Sequence, residues 1–161
     1  MSSTIVTALL WTAALSSGLI AGVYFAFSGF IMQAFRKIDA TQSIAAMNAI
    51  NKTILHSLFM PLFFGSSIVS VVLIIFAFVH WGETGAEVTL VAGAVYFVGM
   101  FVCTVLINVP LNNSLSRLDP NSADAHPVWS RYLKVWTNWN HLRTVSSLVT
   151  CILCIRLLSS H

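Results

Sequence analysis

The side chains best suited to chemistry lie in residues 138–143, which read NWNHLR and lead into the last apolar run. Between Arg143 and Arg156 there are twelve uncharged residues, which cover about 18 Å in a helix. Because the hydrocarbon core of a bilayer is ~30 Å thick, the helix must begin earlier and draw Arg143, with Asn140 and His141, below the membrane surface. Ionisable groups at that depth usually face a bundle interior or a wet cavity, so each marks a candidate site. The alternative for Arg143 is a side chain that snorkels to the headgroups.

Polar side chains also occur at the corresponding end of the other apolar segments. In chain order they are Ser28, Gln33, Asn48, Asn51, His56, Asn108 and Asn112. The opposite halves of the segments are nearly all aliphatic, aromatic or small, whereas polar residues that serve only helix association would be scattered. This concentration predicts a pocket open to the cytoplasm or the inner leaflet, with purely structural hydrogen bonding as the alternative.

Composition places the chain in the membrane class. Of its 161 residues 57% are hydrophobic and 8% are charged, whereas soluble domains carry about 25% charged residues. The mean hydropathy is +0.84. Four segments are long enough to span a bilayer, at about 5–35, 54–79, 88–112 and 136–158. We therefore predict an all-α integral membrane four-helix bundle that forms a single membrane domain over residues 1–161, whose first span is not a cleavable signal peptide.

The basic residues indicate topology and not a polyanionic partner. The net charge is +3 and the pI is near 9.0. The first and third loops carry Arg36, Lys37, Lys52, Arg117, Arg131 and Lys134. The second loop has acidic residues and no Lys or Arg, so the positive-inside rule places loops one and three in the cytoplasm and both termini outside. We expect the membrane to be a bacterial inner membrane. The predicted partners are the lipid bilayer and a lipophilic small molecule, and no nucleic acid.

The first loop and the first span show helical patterns. Apolar residues at helical spacing over 39–50 predict an amphipathic cytoplasmic helix, which carries Asn48, Lys52 and His56 on one face. Pro61 is expected to kink the span that follows. Small residues at every fourth position of the first span predict close helix packing within the bundle, with a homo-oligomer contact as the alternative. These small residues are Ala14, Gly18, Gly22 and Ala26.

The polar set fits a metal site poorly. No Asp or Glu falls inside a span, which excludes a di-iron carboxylate centre and argues against a proton pump. His56 and His141 could bind a metal or haem together with His126, but no HxxxH or HxxE spacing supports this. We therefore predict no metal and no cofactor, and metal or haem binding stays an alternative.

The Cys151–Cys154 pair is typical of quinone-coupled thiol oxidases. The outer loop lacks the second cysteine pair of those enzymes, so we interpret both thiols as packed apolar groups.

The remaining groups are one fixed cation, two titratable bases and several amides beside Trp and Tyr. They suit a lipophilic aromatic or phenolic ligand whose anion must be stabilised. We predict that Arg143, with Asn108 and Asn140, stabilises a phenolate or enolate, and that His141 or His56 takes the proton. The residues predicted to bind the substrate are Tyr24, Asn48, Asn51, Tyr96, Asn112, Trp136 and Trp139.

Four short motifs are distributed along the chain: GLIAGVYF at 18–25, MNAIN at 47–51, NVPLN at 108–112 and WTNWNHLR at 136–143. Over essentially the whole chain, they resemble the anthrone oxygenase-like family of small membrane proteins. The resemblance implies a four-helix membrane bundle. It also implies oxidation of anthrones to anthraquinones by dioxygen without a known metal or flavin, in which a base makes a substrate carbanion that reduces the oxygen. The alternatives are a non-catalytic binder or carrier of a small amphiphile or quinone, and a structural subunit.

Overall fold

The computed structural model describes residues 4–160, and every regular element within them is helical. Four of these helices are long and apolar enough to cross a membrane: α1 (Thr4–Phe35), α3 (Phe59–Val79), α4 (Ala86–Ser116) and α5 (Ala125–Ser159). The shorter helix α2 (Ala40–Ile54) connects α1 to α3. The predicted all-α four-helix membrane bundle is therefore confirmed, and a helix occupies the first loop as expected.

The helix α5 is longer than the apolar run that predicted it. It begins at Ala125, whereas the predicted span starts near Trp136. Pro127 lies in its first turn, where the missing N–H leaves no helical hydrogen bond unmade. Tyr132 and Trp136, both buried, therefore belong to the spanning helix itself. As a result Arg143 lies near the middle of α5, as the 19th of its 35 residues.

A short turn separates α2 from α3. The hydroxyl of Ser57 donates to the carbonyl of Ile54 at 2.8 Å and accepts from the N–H of Phe59 at 3.2 Å. One side chain therefore satisfies backbone groups at the end of α2 and at the start of α3. His56 lies in this turn, beyond the last residue of α2, and is exposed. The helix α2 therefore ends before His56, which we had predicted to lie on one of its faces.

Prolines and π-helical segments shape the two polar helices. Pro61 lies in the first turn of α3, where it interrupts no hydrogen bond of that helix, and the kink expected there stays a prediction. Pro110 lies inside α4, directly after π-helical turns at Phe97–Val102 and Thr104–Asn108. A further π-helical segment, Phe27–Ile31, occurs in α1. Such segments are rare and often occur at functional sites, because they shift the side-chain register of a helix.

The core consists of three buried clusters stacked along the bundle. The first joins the start of α1 to the end of α5: Val6, Leu10, Ala13, Ala14, Leu73, Ala92, Cys154 and Leu157. The second lies in the middle: Ile20, Tyr24, Phe63, Tyr96 and Met100. The third lies at the end that carries α2: Met32, Ile44, Met47, Leu115, Ala125, Trp129, Tyr132, Leu133 and Trp136. These clusters show that α1 and α5 run antiparallel, and they share the most extensive helix contact.

Glycine permits a close approach of two helix backbones at a position that the sequence patterns did not indicate. A Cβ atom on Gly93 of α4 would lie 2.7 Å from the carbonyl oxygen of Ser70 on α3. Within the predicted stripe of α1, a Cβ on Gly18 would lie 3.4 Å from Cys151 Sγ, whereas one on Gly22 would have no neighbour within 4 Å. Of the two glycines in the stripe, only Gly18 therefore lies in contact with α5, while Ala14 joins α5 in the first core cluster.

Candidate functional site

The guanidinium of Arg143 lies inside the bundle, where only 3% of the residue is exposed. Its Nη2 donates to Asn140 Oδ1 at 2.6 Å and its Nη1 to Thr104 Oγ1 at 3.5 Å. Its Cζ lies 4.2 Å from the ring centroid of Tyr24 and 4.9 Å from that of Trp136, within cation–π range of both. The charge is therefore held between two aromatic faces and does not snorkel to the headgroups.

Asn140 fixes the position of the guanidinium. It is fully buried, and its Nδ2 donates to the carbonyl of Tyr24 at 2.7 Å and to Ser28 Oγ at 2.6 Å. Ser28 belongs to the π-helical segment of α1. With its nitrogen engaged by α1, the amide presents its oxygen to Arg143. Asn140 thus ties α1 to α5 and holds the charge in one place.

The charge of Arg143 has no anionic partner among residues 4–160. Its hydrogen-bond acceptors are a neutral amide and a neutral hydroxyl, and its Nε has no hydrogen-bond partner there. The buried residues include no Asp or Glu. A buried charge is costly unless it is paired, so this arrangement favours the binding of an anion.

A second hydrogen-bond cluster lies next to Trp136. Asn112 Oδ1 accepts from the hydroxyl of Tyr132 at 2.8 Å and from Trp136 Nε1 at 2.9 Å. Asn108 is 1% exposed and donates through Nδ2 to the carbonyl of Trp136 at 3.4 Å. Because the ring of Trp136 lies 4.9 Å from Arg143 Cζ, Trp136 connects this cluster directly to the guanidinium.

A cavity of about 520 Å³ connects these groups. This volume lies in the range of ~300–1,000 Å³ that is typical of small-molecule sites. Its polar lining residues are Asn48, Asn51, Lys52, Thr104, Asn112, Asn113, Ser116 and Arg143. Its apolar lining includes the aromatic residues Tyr24, Phe27, Phe59, Phe63 and Trp136. The site can therefore accommodate a lipophilic ring system with polar substituents.

The mouth of the cavity has two kinds of edge. The exposed residues Lys52, Asn113 and Ser116 form a polar rim, and the exposed residues Val23, Leu55 and Val109 form an apolar rim. The lining is therefore exposed on both a polar and an apolar side.

Eight predicted site residues belong to this arrangement. Those that line the cavity are Tyr24, Asn48, Asn51, Asn112, Trp136 and Arg143. Asn108 and Asn140 are buried beside it and contact it through the hydrogen bonds described above. The structure thus brings together residues from α1, α2, α4 and α5, as we expected from their similar predicted depth in the membrane.

The two histidines predicted as bases do not line the cavity. His141 is exposed, because it follows Asn140 by one position, which is a rotation of about 100° around the helix. His56 is exposed in the turn before α3. The structure therefore does not place an imidazole beside the guanidinium, and the role of base that we predicted for one of them needs another group.

Two aromatic residues predicted to bind the substrate also lie elsewhere. Trp139 is 38% exposed and, like His141, faces away from the interior. Tyr96 is 1% exposed and donates its hydroxyl proton to Ser66 Oγ at 2.7 Å, within the middle core cluster. Neither residue lines the cavity.

The sequence analysis did not identify Thr104 as a partner of Arg143. The sequence did contain a sign of this role, because a polar residue occurs at every fourth position in one stripe of α4: Thr104, Asn108 and Asn112.

Within residues 4–160, no three His, Cys, Asp or Glu side chains are grouped so that they could hold a metal ion.

The fold and the cavity define an integral membrane protein with a buried, amide-lined cavity. The sequence matches the Anthrone oxygenase family over residues 55–153, which is more than half of the chain. The protein therefore belongs to this family. No curated protein and no solved structure matches the chain significantly.

The matched region is narrower than the whole-chain resemblance indicated by the motifs. It includes the polar residues of α4 and α5: Thr104, Asn108, Asn112, Asn140 and Arg143. It begins after α1 and α2, so Tyr24, Asn48 and Asn51 lie outside it. The family match therefore covers the guanidinium and its amide partners but not the helices that complete the cavity.

Proposed function

We propose that this protein is a membrane oxygenase that binds a lipophilic anthrone-like substrate in the cavity and oxidises it with dioxygen. The observation that best supports this proposal is the buried Arg143 guanidinium, which lines the cavity without an anionic partner among the described residues. Such a group stabilises the anion of an enolisable ketone or phenol most strongly where water is excluded. The rings of Tyr24 and Trp136 flank the guanidinium and offer flat apolar faces to the substrate.

The reaction needs no further electron donor. The substrate methylene loses one proton, and Arg143 stabilises the resulting enolate, whose negative charge lies largely on oxygen. The electron-rich carbon reduces dioxygen and forms a carbon–oxygen bond, and the resulting peroxide anion takes up a proton from solvent to give a hydroperoxide. The second hydrogen of that carbon then leaves with the distal oxygen as water, so one oxygen atom enters the new carbonyl and the other enters water. The polar rim, which includes Lys52, gives the released proton a route to solvent.

Oxygen uptake by the purified protein with dithranol, an anthrone, tests this proposal. We expect uptake above that of heat-denatured protein, with one atom of labelled dioxygen in the quinone. Arg143→Met should lower turnover by about 100-fold, as expected for the loss of a transition-state anion stabiliser. Arg156→Met is the matched control, since Arg156 is exposed on the same helix and should be dispensable.

Two results would overturn the proposal: uptake no faster than in the denatured sample, or equal turnover by the Arg143→Met and Arg156→Met proteins. The fold of each variant can be checked by thermal unfolding in detergent, which separates loss of turnover from loss of structure.

One observation favours a second candidate, a non-catalytic carrier of a small amphiphile or quinone. Among the described residues that line the cavity there is no Asp, Glu, His or Cys, so no such side chain is positioned as a base. A carrier would bind anthraquinone and lose affinity in Arg143→Met, yet the wild-type protein would show no oxygen uptake.

A further inference from the structure

The α2 wall of the cavity contains two amide atoms that have no partner. Asn48 Oδ1 and Asn51 Nδ2 are buried, and neither has a hydrogen-bond partner among the described residues. Both side chains line the cavity, and their spacing of three positions puts them on one face of α2. Buried polar atoms are normally paired, so a ligand that reaches these two atoms through a small rotation of either side chain would supply the missing hydrogen bonds.

A short chain of contacts connects these amides to the guanidinium. Asn51 adjoins the hydroxyl of Tyr132, and Asn112 Oδ1 accepts from both Tyr132 and Trp136. The Trp136 ring in turn lies 4.9 Å from Arg143 Cζ. The Tyr132 hydroxyl gives its own proton to Asn112. Asn51 Nδ2 lies beside this hydroxyl without a hydrogen bond to it, so its donor hydrogens are unused. One extended ligand can therefore contact Arg143 at one part and the two asparagines at another.

The two free atoms differ in their hydrogen-bond role. Asn48 Oδ1 accepts a hydrogen bond, and Asn51 Nδ2 donates one. A carboxylate or phenolate could not donate to Asn48, and an ammonium group could not accept from Asn51. A neutral hydroxyl satisfies both atoms at once.

We infer that Asn48 and Asn51 determine substrate choice by binding one neutral hydroxyl group of the substrate, at the α2 wall of the cavity, while Arg143 holds the enolate. This inference rests on the proposed function and deepens it. It assigns substrate choice to α2, which lies outside the region matched to the family, while the matched region supplies the anion-stabilising group.

The test compares anthrone with 3-hydroxyanthrone, which carries one added hydroxyl on an outer ring. The wild-type protein should show the higher kcat/KM for the hydroxylated substrate. In Asn48→Leu and in Asn51→Leu the ratio of the two kcat/KM values should fall about tenfold, because each variant removes one hydrogen bond to the hydroxyl. Asn138→Leu is the matched control, since Asn138 is exposed on α5, and it should leave the ratio unchanged.

A merely structural role of the asparagines would lower kcat/KM for both substrates equally, and that result would overturn the inference. An unchanged ratio in both variants would overturn it as well.

Binding separates this inference from the proposed function. Quenching of tryptophan fluorescence measures binding of anthraquinone and of 2-hydroxyanthraquinone, below the pKa of its phenol, without any turnover. If oxidation is absent but the hydroxyl improves binding and the two variants abolish that gain, the proposed function fails and the inference stands. If oxidation occurs and the hydroxyl improves neither binding nor turnover, the inference fails and the function stands.

Discussion

Asn140 and His141 show how one position on a helix decides whether a polar residue reaches the site. Asn140 and Arg143 are three positions apart and share a face, whereas His141 is rotated by about 100°. Asn140 is fully buried, and His141 is exposed. The depth of a residue could be predicted from the apolar run, and this identified the guanidinium. Predicting which residue acts as the base required in addition the direction in which each side chain leaves the helix, and depth in the membrane does not give that direction.

The neutrality of Asn140 is central to the proposed chemistry. Its oxygen accepts from Arg143 while leaving the positive charge uncompensated. In Asn140→Asp a fixed carboxylate would pair with the guanidinium, and the substrate anion would lose its stabilisation. We expect oxygen uptake with dithranol to fall by about 100-fold. Asn138→Asp makes the same change at an exposed position of α5 and should retain activity.

Uptake by Asn140→Asp at the wild-type rate would show that the free charge is not needed. The carboxylate would also face the carbonyl of Tyr24, which now accepts from Asn140 Nδ2. Thermal unfolding in detergent should therefore report a loss of about 1–3 kcal/mol, which is the cost of an unpaired buried polar group.

At the scale of helices, the number and order of the spans could be predicted because charge-free runs must fill the bilayer. The residues at which the spans begin and end could not be predicted. Hydropathy reports contact with lipid and not helical conformation, so the polar first turns of α5, from Ala125, were missed. The π-helical segments were also not predictable, because they depend on tertiary contacts such as the bonds from Asn140 to Tyr24 and Ser28.

Helix packing gives a prediction that is independent of function. In Gly93→Ala the new methyl group would meet the carbonyl oxygen of Ser70 at 2.7 Å, and backbone cannot move aside cheaply. We expect α3 and α4 to separate, with a loss of about 1–3 kcal/mol as for other overpacked cores. The melting temperature in detergent measures this loss.

Gly22→Ala is the matched control, since its methyl group would have no neighbour within 4 Å. Alanine also favours the helix by about 0.5–1 kcal/mol, so this variant should unfold at the same or a higher temperature. Equal melting temperatures for the two variants would show that the close approach at Gly93 is not a tight contact.

At the scale of the whole molecule, the cavity lies at the end of the bundle that carries α2 and the basic loops. The basic side chains there are all exposed: Arg36, Lys37, Lys52, Arg117, Arg131 and Lys134. By the positive-inside rule we expect this end to face the cytoplasm, so a substrate would enter from the inner leaflet or the cytoplasm. The orientation therefore determines on which side of the membrane the proposed oxidation takes place.

Cysteine labelling in intact bacterial cells tests this orientation. Thr84→Cys and Ser160→Cys lie in exposed segments at one end of the bundle, and Asn121→Cys lies in an exposed loop at the other. A charged, membrane-impermeant maleimide should label the first two variants in intact cells and Asn121→Cys only after the cells are opened. The native protein is the background control, because Cys103 and Cys154 are buried and Cys151 is half-buried within a span. Labelling of Asn121→Cys alone in intact cells would reverse the topology and place the cavity mouth on the outer face.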